Sequence, residues 1–327
     1  MKRAVLIGID RYDHFGPLEG CEKDVLRLHP LLARNFDDLP NFECRSLISG
    51  TEYVTRKKIL QAVDTLLAPG GDVSLLYFAG HGRATQSSVV LVSQDGDGVD
   101  PGVSASHIFE KIAESSVREV IVILDCCFSG AAGSVPQLMG RVSALRDGTC
   151  LLAASRHDQS AHESAGGHGM FSGYLADALE GGAADVFGEV SLAGLYAFIS
   201  QGFGAFEQRP ICKMNVDRSH QLRRCAPAMP LPELWRLPII FPDPDADLPL
   251  DPSYERTAGL RNAEHEEIFK LLHRYRAAKL LIPVGAEHLY FAAMQSGACR
   301  LTALGKHCWR VADRQLVRRG ATAPADV

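Results

Sequence analysis

The chain has 327 residues, 46% hydrophobic and 22% charged, enough for one large domain and a small one. A formal net charge of −5 gives no general attraction for nucleic acid or an anionic membrane surface. Nine cysteines, with no Cys-x-x-Cys pair, argue against a disulfide framework or a metal cage, and reduced thiols in the cytoplasm are the simpler expectation.

In chain order, Arg3 to Ile9 reads as a buried strand, too short for a signal peptide and without a cleavage site. Val25, Leu28, Leu31 and Leu32 follow helical spacing and predict a helix from about Cys21 to Asn35. Phe42 to Leu47 is a candidate strand, and Thr55 to Leu67 a helix broken by Pro69-Gly70-Gly71. Asp72 to Phe78 predicts a buried strand that ends in an Ala79-Gly80-His81-Gly82 turn. Ser88 to Val92 follows as a strand, and Ser104 is placed to cap a helix reaching about Ala113.

Glu119 to Leu124 carries an unbroken apolar run of the kind that fills a parallel strand buried on both faces. It leads into Asp125-Cys126-Cys127-Phe128-Ser129-Gly130. Thr149 to Ala154 is a further strand, Met170 to Leu179 and Leu192 to Phe203 are helices, and Arg209 to Val216 is a strand placed at an edge by Pro210. This alternation predicts an α/β fold, a mostly parallel sheet flanked by helices. Between Ala226 and Pro252 lie eight of the 17 prolines, so residues 226–262 read as a stiff connector between a domain over 1–225 and a small α+β domain over 263–327. In the latter, Glu264 to Ala278, Glu287 to Gln295 and Thr302 to Ala312 are helices and Leu280 to Val284 a strand. The run from Leu301 to Gly305 with its following helix resembles a winged-helix pattern. No apolar stretch reaches the roughly 18 residues of a membrane span.

Two strand ends carry reactive side chains, His81 and the Cys126-Cys127 pair. A thiol beside an imidazole supplies a nucleophile and a general acid/base. Neighbours on a strand face opposite ways, so Cys126 and Cys127 cannot both face His81. Asp125 stands two residues from Cys127 and shares its face. An acid there raises the thiol pKa unless it has another use, such as binding a cationic substrate side chain.

Tyr77-Phe78-Ala79-Gly80-His81-Gly82 and Asp125-Cys126-Cys127-Phe128-Ser129-Gly130 closely resemble the His and Cys boxes of the metacaspases and caspase-like cysteine peptidases. Leu6 to Ile9 with Leu18 to Asp24, and Ala154 to Ala161 with Gly169 to Leu175, resemble further parts of that family, over roughly residues 1–225. The resemblance implies a caspase-haemoglobinase-like fold and a cysteine endopeptidase acting on protein substrates. It implies Cys127 as nucleophile and His81 as general acid/base, with the backbone N–H groups of Gly82 and Cys127 as oxyanion hole. By the same resemblance Asp125, Asp24 and Cys21 line a pocket for Arg or Lys before the cut bond. Asp158 is a further candidate, weighed evenly against an ordinary turn carboxylate.

Arg141 and Arg146 lie where relatives are cut, so they are candidates for self-processing or, equally, two solvated charges. No third group orienting the imidazole is legible. Asp95, Asp97 and Asp100 resemble part of a calcium loop, but Asp-Gly turns are usually only turns, and no obligatory calcium or other cofactor is expected. His157, His162 and His168 match no usual metal spacing. The implied setting is a bacterial stress, cell-death or antiviral response. The competing expectation is a non-catalytic scaffold or regulator that binds a protein partner, or less readily DNA, through residues 263–320, with Arg300, Lys306, His307, Arg310, Arg314, Arg318 and Arg319.

Overall fold

The computed structural model describes residues 1–85, 88–129, 145–154, 170–204, 210–217 and 219–321, except the side chains of 127–129 and 317–321. It divides into two compact units, Met1–Ala226 and Pro227 onward.

In chain order the first unit contains β1 (Lys2–Gly8), α1 (Cys21–Ala33), β2 (Glu43–Ile48), α2 (Arg56–Leu66), β3 (Val73–Ala84), β4 (Val89–Val92), β5 (Gly102–Ser104) and α3 (Ala105–Glu114). There follow β6 (Glu119–Ser129), β7 (Thr149–Ala153), α4 (Met170–Asp177), β8 (Glu189–Val190), α5 (Leu192–Gln201), β9 (Ile211–Asn215) and β10 (Arg223–Arg224). The sheet runs β2-β1-β3-β6-β7-β9. Its first five strands pair in parallel, and β9 closes one edge antiparallel to β7. Pro210 lies just outside that edge strand, where its missing N–H costs no ladder bond.

Strand alternation divides the core in two. Leu76, Phe78, Val122 and Leu124 pack with Ile59 and Val63 of α2 and Ile108 and Phe109 of α3. Leu75, Tyr77, Ile121 and Ile123 pack on the other face with Val25 and Leu28 of α1, Phe171 of α4 and Leu195 of α5. Helices thus cover both faces, as a parallel sheet requires, because neither face of its strands is polar. Thr55 caps α2 by accepting from the Lys58 N–H. Ser104 stands at the start of α3, but its hydroxyl bonds Ser88 and Ser106 and caps nothing.

The second unit contains α6 (Leu231–Leu234), α7 (Leu237–Ile240), β11 (Leu248–Pro249), α8 (Ala263–Ala277), β12 (Leu281–Val284), α9 (Leu289–Met294), β13 (Ala298–Leu301) and α10 (Ala303–Ala321). Its strands are antiparallel in the order β11-β13-β12. The stiff connector expected over 226–262 is corrected here. That segment belongs to the second unit, with β11 paired to β13, the Tyr275 hydroxyl donating to the Glu233 carbonyl and the Trp309 indole to the Phe241 carbonyl, both at 2.6 Å. Several of its prolines occupy first-turn positions of short helices, where a missing N–H is harmless. The Leu301–Gly305 run is the junction of β13 and α10. The paired strands β12 and β13 are joined through α9, not by the hairpin of a wing.

Candidate active site at the carboxyl edge of the sheet

Pairing of β1 with β3 ends at Gly8↔Ala79, and pairing of β7 with β6 ends at Ala153↔Leu124. Strands β3 and β6 do not stop there. They continue paired to each other, from Gly80↔Cys126 to Arg83↔Ser129, as a ribbon beyond their neighbours. The turn expected after Phe78 is therefore strand, as is the run from Asp125 to Ser129. Along the ribbon His81 lies level with Cys127. Strands in a ladder stand about 4.8 Å apart, and residues level in a parallel pair project to the same face. The backbone alone thus brings the two positions together. Cys126 is 2% exposed and packs in the core with Phe78 and Leu124, so it faces α2 and α3. Alternation assigns position 127 to the opposite face, with His81. The Cys127 side chain lies outside the described residues.

The imidazole is held by the loop between β1 and α1. Its Nε2 lies 2.7 Å from the Gly16 carbonyl oxygen. A carbonyl only accepts, so this nitrogen carries the proton and Nδ1 is left as the acceptor. Tyr12 packs its ring against the imidazole, with centroids 4.7 Å apart, and Phe15 stands at 6.2 Å. The Tyr12 hydroxyl also accepts from the His81 backbone N–H at 2.8 Å. At this level β1 has ended, and the phenol oxygen supplies the acceptor a strand carbonyl would have given. Its close approach needs a glycine at 80, where a Cβ would stand 2.5 Å from the phenol oxygen. Burial pushes the Tyr12 phenol well up, so it stays neutral. Gly82 sits in the ribbon between Phe128 of β6 and Leu91 of β4.

Acids gather on the same face. Asp24 of α1 is 4% exposed and Asp125 of β6 is 8% exposed. Both disfavour the charged forms of the Cys21 thiol and the Tyr77 phenol. Cys21 is pushed up by burial first, then by the Asp10 and Asp125 carboxylates, so it is a neutral thiol. Asp10, which sequence reasoning missed, accepts from the backbone N–H groups of Cys21 at 2.9 Å and Glu22 at 3.2 Å. It caps the helix that carries Asp24 from another part of the chain, since Gly20 at the cap position has no side chain for the task. Gly8 permits that approach, because a Cβ there would lie 2.5 Å from the Cys21 carbonyl oxygen. Ser172 of α4 donates to Asp125 Oδ2 at 2.5 Å, and the Tyr77 hydroxyl lies 2.6 Å from the Ser172 oxygen.

Other candidates fall elsewhere. Asp158, Arg141 and the three loop histidines lie outside the described residues. Arg146 precedes β7 at the amino edge of the sheet. Thr149 is level with Val120, seven residues before Cys127. At about 3.3 Å per residue that is roughly 23 Å from the level of His81 and Cys127. Its guanidinium donates to the Val117 carbonyl at 2.5 Å, and burial lowers its pKa. Asp97 accepts from the Val99 and Asp100 N–H groups, Asp95 from Ser93 and the Arg56 N–H, and Asp100 pairs with Arg56. Among the described residues no cluster of three His, Cys, Asp or Glu side chains is disposed to hold a metal ion, and no helix is long and apolar enough to cross a membrane.

A helix-flanked parallel sheet with a histidine and a cysteine level at its carboxyl edge defines an α/β domain of the cysteine-peptidase type. The chain belongs to the caspase domain family, whose model matches residues 1–220. It is 30% identical over 144 residues to Metacaspase-7 of Arabidopsis thaliana, covering 39% of this chain and 35% of that one. It is 26% identical over 169 residues to Metacaspase-1A of Aspergillus niger, covering 45% and 40% respectively. The chain thus spans less than half the length of the curated relatives it matches. Caspase-1 from Spodoptera frugiperda superposes with a TM-score of 0.49 at 12% identity, over 68% of this chain and 90% of that one.

Proposed function

We propose that this chain is a cysteine endopeptidase that cuts proteins after Arg or Lys through a Cys127–His81 dyad. The observation that carries the reading is the register of β3 on β6, which sets His81 level with Cys127 beyond the ends of the flanking strands. With Nε2–H held by Gly16, Nδ1 of His81 takes the thiol proton. The thiolate attacks the scissile carbonyl carbon, and the family resemblance assigns the charge that develops on its oxygen to the N–H groups of Gly82 and Cys127. The imidazolium then protonates the leaving amine. Water, deprotonated by the same nitrogen, releases the acyl group.

Asp24 and Asp125, with the neutral Cys21 thiol beside them and Asp158 as a further acid, form the pocket for the residue before the cut. Two buried carboxylates gain from a guanidinium or ammonium placed between them, whereas a substrate aspartate adds a third like charge. Self-processing is assigned to Arg141, because Arg146 lies anchored at the far edge of the sheet. No obligatory calcium is expected, Asp97 accepting from N–H groups of its own loop and Asp95 and Asp100 being engaged with Arg56 of α2. The family resemblance suggests a stress, cell-death or antiviral role.

The test is hydrolysis of fluorogenic peptides ending in Arg, Lys or Asp. Arg and Lys peptides should be cut, with loss in Cys127→Ala and His81→Ala and retention in Cys126→Ala. Activity confined to the Asp peptide overturns the pocket, and activity surviving Cys127→Ala overturns the dyad.

A further inference from the structure

We infer that Ser172 and Tyr77 are specificity-positioning residues, a buried donor chain that keeps Asp125 charged and aimed for a basic substrate side chain. The inference rests on the Arg/Lys pocket proposed above. Ser172 is 1% exposed and Tyr77 0%, so neither hydroxyl is satisfied by bulk water. The serine has one proton, and it goes to Asp125 Oδ2 at 2.5 Å. The contact of 2.6 Å between the two hydroxyls therefore has Tyr77 as donor and Ser172 as acceptor. The chain runs one way, from phenol to serine to carboxylate, and each bond polarises the next. Burial and the neighbouring carboxylate push the Tyr77 phenol well up, so it remains a donor at any working pH.

The chain answers a problem the pocket creates. Asp125 and Asp24 are both buried and both act on Cys21 and Tyr77. Burial disfavours the charged form of a carboxylate, and a neutral acid is weak toward a cation. Donors fixed to one of them favour its ionised form. The three residues come from separate elements, β3, β6 and α4. Ser172 is the third residue after Gly169 in the run that follows the Asp158 segment, and it contacts Asp125.

The experiment compares kcat/KM for paired peptides ending in arginine or in citrulline, its uncharged isostere, in the wild type, Ser172→Ala and Tyr77→Phe. Losing a hydrogen bond to a charged group should lower the Arg-over-citrulline ratio roughly ten- to hundredfold in Ser172→Ala, mainly through KM for the Arg peptide. Tyr77→Phe, one bond further away, should lower it less. Thermal unfolding of each variant identifies a general loss of fold, which depresses both peptides in parallel and leaves their ratio unchanged. An unchanged ratio in Ser172→Ala, with or without such a loss, overturns the inference alone. A wild type that does not prefer arginine over citrulline overturns the pocket reading and this inference with it.

Discussion

Replacing Gly80 with alanine probes the contact that seats the imidazole. In a strand, alanine for glycine is ordinarily favourable by about 0.5–1 kcal/mol. Here the added Cβ would stand 2.5 Å from the Tyr12 hydroxyl oxygen and 3.0 Å and 3.3 Å from Cζ and Cε1 of Phe78. Phe78 is locked in the core, so the loop-borne Tyr12 must move. That breaks the bond from the His81 N–H, and a stranded part-buried donor costs about 1–3 kcal/mol. The net expectation is a destabilisation of about 1–2 kcal/mol. Tyr12→Phe deletes the same bond and should cost a similar amount. Both changes act through one interaction, so the double variant should lose about 2 kcal/mol and fall short of the sum by about 1 kcal/mol. Urea unfolding of the four proteins, with kcat/KM on an Arg peptide alongside, measures this cycle. A Gly80→Ala protein as stable as the wild type, or strictly additive losses, would refute the steric argument.

Asp10→Ala should lower stability by about 1–2 kcal/mol by uncapping α1, read as the urea midpoint, with Asp10→Asn losing less because one acceptor oxygen remains. Iodoacetamide at neutral pH, followed by peptide mass spectrometry, should label Cys127 well before Cys21 or Cys150. Burial pushes Cys21 up beyond reach and Cys150 up to about 12, and only a thiolate reacts. Asp245 is held below the ordinary carboxylate range by its hydrogen bond from Lys306. A carboxyl depressed in the folded state stabilises above its unfolded pKa, and that contribution is lost as pH falls through the folded one. Between about pH 5 and pH 3 the stability of Asp245→Asn should therefore fall less steeply than that of the wild type.

The sheet was legible because its strands are continuous apolar runs, and the family because His81 and Cys127 sit in distinctive boxes. The extent of β3 and β6 was not. Ala79-Gly80-His81-Gly82 has the composition of a turn, and the equal extension of β6, with β4 pairing from Gly82 on, makes it a ladder. The group that orients His81 left no mark because it is a backbone carbonyl, and every residue has one. Asp10 escaped notice because it caps a helix 11 residues away, so no local capping pattern appears. The proline-rich stretch 226–262 misled for a related reason. Proline marks the first turn of a helix as readily as an extended spacer, and tertiary contacts such as Tyr275 to Glu233 decide between them.

The pairing of β3 with β6 has a consequence for how such a protein can change. On β6 Asp125 and Cys127, proposed above as selecting acid and nucleophile, are two positions apart, and strand geometry fixes that interval at about 6.7 Å. The backbone acts as a ruler between the side chain that is chosen and the bond that is cut. A single-residue insertion or deletion in Glu119–Leu124 would turn both positions to the α2–α3 face at once. A substitution at 125 leaves the ruler intact. Preference for the residue before the cut is therefore free to drift by point mutation, while the length of this strand is not.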